Sequence, residues 1–190
     1  IKTNYAKLYN ENYSSNLKNH HIICLKTFGS PYLLFCTKIN NVNYCLLIDK
    51  KIKKGYEYPK MFIIQYKFNC DLFNGTLFET ELVRDNSNEW FLLLGDIYYY
   101  NGLLTKDKNI SDRIQRMYSI LENEYKQDKF SEICPIEIKR YFNFSDYNTI
   151  FNDFIPKLNY NIRGMYFIPL NINYSNILYF FTNNDLKVAN

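Results

Sequence analysis

The chain has few of the features that would direct it to a membrane, a metal site or a disulfide scaffold. No apolar run approaches the roughly 20 residues that a membrane-spanning helix requires. The five cysteines, Cys24, Cys36, Cys45, Cys70 and Cys134, are odd in number, scattered, and include no Cys-x-x-Cys pair. Most of them sit inside apolar strand patterns, which points to buried thiols in a reducing, cytoplasmic compartment. Only two histidines are present, the adjacent His20 and His21. Neither has a cysteine or carboxylate at metal-ligand spacing, so neither zinc nor any other protein-held metal is expected. The chain opens at Ile1 without a signal-peptide layout, as a cytosolic fragment or processed product would. There is no repeat, low-complexity tract or linker.

An excess of charge is missing too. The formal net charge of +4 permits a phosphate-bearing partner but falls short of the dense basic stripe of a protein that holds long nucleic acid. The most basic run, Asp49 to Gly55 with Lys50, Lys51, Lys53 and Lys54, falls in a predicted loop. It reads either as a solvated turn or as a phosphate-contacting loop. Aromatics, by contrast, are abundant: 19 Tyr and 15 Phe make 18% of the chain with its single Trp. With 47% hydrophobic residues over 190 positions, the composition suits one folded domain spanning 1–190 with an aromatic core. Such a domain buries roughly 70% of its extended-chain surface. The high Asn, Ile, Lys and Tyr content is typical of AT-rich genomes and suggests a viral or parasite source.

Strand signals fill the first half: His21 to Lys26, Tyr32 to Thr37, Val42 to Ile48, Met61 to Tyr66, Thr76 to Val83 and Glu89 to Ile97. Turn-rich pieces between them, such as Phe28 to Pro31 and Arg84 to Asn88, are short enough to imply antiparallel pairing. The period then becomes helical, with Ile114, Met117, Tyr118, Leu121 and Tyr125 predicted inward behind an N-cap at Ser111-Asp112. A second helix is predicted from Ser145 to Pro156, burying Ile150, Phe151, Phe154 and Ile155. Two late strands follow, Met165 to Ile168 and Ile177 to Phe181. Strands, a helical insert and strands again make an α+β fold.

Four segments, in order, carry a further signal. Pro31-Tyr-Leu-Leu-Phe-Cys-Thr-Lys38 runs through the polar turn Asn40-Asn41-Val42-Asn43 into a second apolar strand ending at Ile48. Gly75-Thr-Leu-Phe-Glu79-Thr80-Glu81-Leu-Val83 ends a strand in acidic residues. Trp90-Phe-Leu-Leu-Leu-Gly-Asp96 leads to a Gly turn at Gly102. Asn161-Ile-Arg163-Gly164-Met-Tyr166-Phe-Ile-Pro169 opens a late strand. The series resembles the covalent nucleotidyltransferases, which include mRNA capping guanylyltransferases and polynucleotide ligases. Their first motif is Lys-x-Asp-Gly followed two residues later by Arg, their third roughly Asp-Gly-Glu-Leu-Val, and their fourth Asp-Gly-Leu-Ile-Phe. In this placement Lys38 is kept while Asp, Gly and Arg have become Asn. Glu81 is also kept, and the metal-handling Asp of the fourth motif has become Arg163. The fifth motif, near Asn176 to Phe181, lacks its two lysines. The stretch from Thr76 to Leu121 is also similar to the cap-binding domain of snurportin, whose cap-stacking tryptophan falls at Arg116.

The resemblance covers about residues 30–181. It implies two antiparallel sheets enclosing a nucleotide cleft, with flanking helices and without the OB-fold domain of the active enzymes. Covalent transfer needs a free amine in line with the α-phosphate and a metal to draw off charge. With the carboxylate and the lysines replaced, the resemblance implies a non-catalytic protein that binds the mRNA 5′ cap or a guanine nucleotide and acts in mRNA translation or protection. Its partners would be capped mRNA and other proteins, with no cofactor. The alternatives are an active guanylyltransferase or ligase core using Lys38 and Mg²⁺, and a nucleotide-free scaffold subunit. In the binding reading Lys38 and Arg163 hold phosphates. The methylated base stacks among Trp90, Tyr98, Tyr100, Tyr118 and Tyr166, each of which competes with a role in core packing. Glu81 takes a sugar or base edge in that reading, Mg²⁺ in an enzyme, or solvent as an ordinary strand-end carboxylate. Asp96, if buried, needs a partner, either Lys38 or a backbone amide.

Overall fold

The computed structural model describes residues 6–9, 21–128, 130, 132 and 134–182; His20 lies outside them. They fall into two compact units, one from residues 1–28 with 139–190 and the other from residues 29–138.

The central unit, residues 29–138, is built on a sheet ordered β5-β4-β3-β6-β7-β8. Its strands are β3 (Ser30–Ile39), β4 (Val42–Asp49), β5 (Met61–Ile64), β6 (Asn74–Arg84), β7 (Trp90–Tyr100) and β8 (Leu103–Leu104). Every strand expected from alternation is present within one to three residues. The β3–β4 hairpin closes on Asn40 and Asn41, both left-handed at φ 49° and 62°. A two-residue turn that matches strand twist demands this conformation, and asparagine tolerates it. Strand β5 stops at Ile64 instead of Tyr66, because Tyr66 turns inward and donates its hydroxyl to the Cys134 carbonyl at 2.8 Å. A short β9 (Ile136–Ile138) joins β7 in parallel.

Among the described residues this unit carries a 3₁₀ turn at Cys70–Phe73 and one α-helix, α1 (Ile110–Asn123). Its N-cap is Asn109, whose side chain accepts the Asp112 amide at 2.9 Å, so the helix starts before the expected Ser111. The inward face also differs from expectation: Ile110, Arg113, Met117 and Ile120 are buried, whereas Tyr118 is exposed. An apolar-only reading rejects Arg113, which is nonetheless buried because a carboxylate on β7 receives it. The core gathers Leu34, Leu72, Phe78, Leu92, Leu94, Ile97, Met117 and Ile120, all essentially inaccessible. Each such side chain contributes about 1.5–3 kcal/mol by leaving water.

The other unit holds a sheet ordered β1-β12-β11-β2-β10, from β1 (Lys7–Leu8), β2 (His21–Thr27), β10 (Tyr141–Asn143), β11 (Ile162–Pro169) and β12 (Ile177–Phe180). Strand β1 runs parallel to β12, and the remaining pairs are antiparallel. Residues 144–157 form a continuous helical run with a π-helical turn at Ile150–Phe154. Ile150 and Phe151 pack there against Ile23, Leu25, Met165 and Phe167, and Phe154 and Ile155 flank them. Both sheets and the helices fulfil the α+β expectation. No helix among the described residues is long and apolar enough to cross a membrane.

Candidate functional site

In the central unit the acidic motifs are held by strand register. Glu79 on β6 lies directly across from Asp96 on β7, and the ladder shifts there because Thr80 pairs with Leu94, passing over Gly95. Two carboxylates facing each other on neighbouring strands repel. Each is answered by a cation: Lys50 bridges Glu79, and Arg113 forks onto Asp96 with Nε–Oδ1 at 2.8 Å and Nη2–Oδ2 at 3.1 Å. Asp96 also accepts the Ile97 amide at 2.8 Å. Its expected backbone-amide partner is therefore present, while its charge partner is Arg113 and not Lys38. Burial pushes the Asp96 carboxyl above the usual range, against the pull of Arg113.

The same network fixes the aromatic candidates. Tyr98 is buried and donates to Glu79 Oε2 at 2.6 Å, and Lys106 sits 4.7 Å over its ring. Burial together with the Glu79 and Asp96 charges raises the Tyr98 phenol far above its ordinary range, and burial lowers Lys106. Tyr100 donates to Glu124 at 2.9 Å, and the Arg116 guanidinium stands 4.7 Å from its ring. Glu81 is buried, which removes the solvent-facing reading. Trp90 is 42% exposed, with Arg84 5.2 Å over its ring, so it is not core. It borders an apolar groove of about 640 Å³ with Leu47, Phe62, Ile64 and Leu82. Lys38 is exposed on the β3–β4 hairpin across from Asn43. In the basic run, Lys51, Lys53 and Lys54 are exposed, whereas Lys50 is committed to Glu79.

In the other unit three cations lie on β2, on β11 and two residues ahead of β10. Lys26, only 7% exposed, pairs in register with Gly164. Lys139 is buried, donates to the Leu25 carbonyl at 3.3 Å and lies 5.6 Å from the Tyr166 ring. Arg163 is the extra residue of a bulge, because Ile162 pairs with Thr27 and Gly164 with Lys26. Bulges re-aim side chains. This one leaves the Arg163 guanidinium 4.4 Å from the Phe180 ring and 5.9 Å from the Phe28 ring. Gly164 is obligatory here, since a Cβ on it would come within 2.1 Å of the Tyr179 carbonyl oxygen.

The family model described as the mRNA capping enzyme, catalytic domain, matches residues 7–178, nearly the whole chain. The chain belongs to this family. No curated protein matches it. Membership in the capping enzyme family ties the chain to mRNA cap and guanylyl-related function, with RNA or nucleotide as its class of partner.

Lys26, Lys139, Glu79 and Arg113 were not among the candidates read from the sequence, Lys50 was named only within the basic run, and Lys26 and Glu79 left a legible trace. Lys26-Thr-Phe28-Gly29-Ser-Pro31 keeps the lysine and the glycine of Lys-x-Asp-Gly-x-Arg, whereas Lys38 to Asn43 keeps the lysine alone. Glu79 stands where the third motif has Asp and preserves its charge. For the capping enzyme's Mg²⁺ the donor set does not fit. The fourth-motif position holds a guanidinium, and the Asp position of the Lys26 segment holds the ring of Phe28.

Proposed function

We propose that this capping enzyme domain binds guanine nucleotides, the mRNA 5′ cap among them, without covalent guanylyl transfer, as in the snurportin-like reading. The observation that carries the reading is Arg163. At the position where the family handles metal with a carboxylate, the bulge presents a guanidinium seated on Phe180. A guanidinium repels a divalent cation and grips phosphate oxygens two at a time, so the substitution trades metal chemistry for direct phosphate binding. Lys26, in our reading, stands at the first-motif lysine in place of Lys38. It has the better pattern, is buried, and is the cross-strand neighbour of the fourth-motif glycine. Removing several transition-state contacts worth a few kcal/mol each lowers turnover by orders of magnitude while binding persists.

The test is calorimetric titration with a 7-methylguanosine cap dinucleotide and with its unmethylated counterpart, in buffer free of divalent metal. Micromolar or tighter, methyl-dependent binding supports the proposal, and no heat with either ligand overturns it. Retention of a buried Lys26 favours a second reading, an active transferase. Incubation with α-labelled GTP and Mg²⁺ separates the two. An acid-stable adduct that disappears in Lys26→Ala establishes the enzyme, and absence of any adduct leaves the binding reading.

A further inference from the structure

The bulge at Arg163 does more than remove a carboxylate. The ends of β2 and β12 lie beside the start of β11, and each strand delivers one planar group to the same surface: Phe28 just past β2, Arg163 on β11 and Phe180 at the end of β12. The backbone beneath them is pinned. The Phe28 amide donates to Asn161 at 3.2 Å, and the Phe181 amide donates to the Arg163 carbonyl at 2.9 Å. Yet the rings remain open to solvent, with Phe28 67% and Phe180 37% exposed. Two phenyl rings flanking a guanidinium form a ready π surface whose edge still carries N–H donors.

We infer that Phe180, Arg163 and Phe28 form a stacking platform for an unpaired nucleobase of single-stranded RNA, distinct from the site that takes the methylated guanine. The inference rests on the family's RNA or nucleotide class of partner and on the reading proposed above, in which Arg163 grips a phosphate while the methylated base stacks elsewhere. Every base offers a π-face to a phenyl ring or a guanidinium plane, so such a platform tolerates any sequence. The Arg163 edge is free to donate to the adjoining phosphodiester while its face stays stacked. A duplex presents no unstacked base and should be excluded.

The experiment uses fluorescence anisotropy with 5′-labelled, uncapped A10 RNA, the same strand annealed to U10, and 7-methylGTP as a cap probe without a second base. Loss of one base–aromatic stack weakens binding by about five- to a hundredfold. Phe28→Ala should therefore lose affinity for A10 in that range and by a clearly larger factor than for 7-methylGTP, and Phe28→Trp should restore A10 binding. Arg163→Lys keeps the charge, loses the plane and should weaken A10. Thermal melting confirms that these exposed substitutions leave the fold intact. An A10 affinity unmoved by Phe28→Ala, equal losses for A10 and 7-methylGTP, or no binding of A10 to the unaltered chain each overturns the platform. Failure of 7-methylGTP to bind at all overturns the cap reading alone, because the A10 comparison reads independently.

Discussion

Replacing Asp96 by Asn should be among the most damaging conservative changes in the central unit. The substitution keeps shape and removes only charge, leaving the Arg113 guanidinium buried against a neutral amide. Its Nε and Nη2 contacts weaken, and only the Nη1 bond to the Lys108 carbonyl is untouched. Breaking one side of a buried pair costs about 3–5 kcal/mol. For a chain of this size each kcal/mol moves the melting temperature by about 2–4 °C, so a fall of about 6–20 °C is expected. Arg113→Met differs in a way that pH reveals. Burial already pushes the Asp96 carboxyl up, and without Arg113 only the Ile97 amide opposes it. The folded state then holds a proton that the unfolded state releases above its ordinary value, so the penalty shrinks as pH falls and grows as pH rises through the folded value. In Asp96→Asn the guanidinium does not titrate, so the variant's own stability carries no pH dependence from this pair. The double variant, a neutral pair, should recover much of either loss. Urea denaturation at pH 5 and pH 8 reads all three. An Asp96→Asn cost below about 1 kcal/mol, or an Arg113→Met cost insensitive to pH, would refute the reasoning.

Three further outcomes are expected. Of the five cysteines only Cys70 is exposed, so an aromatic disulfide reagent should label one thiol quickly and the other four only after denaturation, with the fast phase absent in Cys70→Ser. Gly164→Ala should cost at least about 1–3 kcal/mol by overpacking against Tyr179, seen as an early urea midpoint, and a midpoint unchanged from the parent would discredit the close approach. Stability should fall between pH 9 and 11, because burial pushes the Cys134 thiol up to about 11 and raises Tyr66 and Tyr98 further. The unfolded chain ionises first in that window, and Cys134→Ala should flatten its lower part.

The long strands were legible because alternation and turn residues agree. Asn40-Asn41 reads as a turn, and the flanking apolar runs pair in the register that the turn fixes. Strands of two or three residues, β1, β8, β9 and β10, escape because they are too short for any period. Two of them are also recruited in parallel from distant sequence, β1 by β12 and β9 by β7. Helix α1 was found but turned slightly wrong, since Ser111 and Asn109 are both good caps and only the Asn109 geometry reaches the Asp112 amide. Its buried Arg113 was invisible for a general reason: a charged residue looks exposed until its partner, here Asp96 on another element, is known. Lys26, which we propose as the first-motif lysine, was hidden in the same way. A lysine in the apolar strand His21 to Thr27 looks like an edge residue, and the polar hairpin after Lys38 drew the motif away from it.

The binding reading gains its force from correlated replacement. One lost carboxylate is weak evidence, because drift in a surface turn would leave a small or unrelated residue. Here, in the Lys26 register, two acidic positions of the family have become Phe28 and Arg163, which stand 5.9 Å apart, and Arg163 has a second ring at 4.4 Å. The charge at this surface has reversed sign, and the new groups suit one another. A carboxylate at this position would ligate a metal, whereas a guanidinium in its place offers the metal no ligand and gives the phosphate a direct partner. Restoring one acid should therefore fail to restore metal chemistry: in Arg163→Asp the phenyl rings remain, the lysines absent from β12 remain absent, and phosphate affinity is lost with nothing gained. On this reading only a chain rebuilt at residues 28 and 163 and along β12 together would re-create the electrostatics that transfer requires. That is the separation expected between a site tuned for binding and one waiting for its metal.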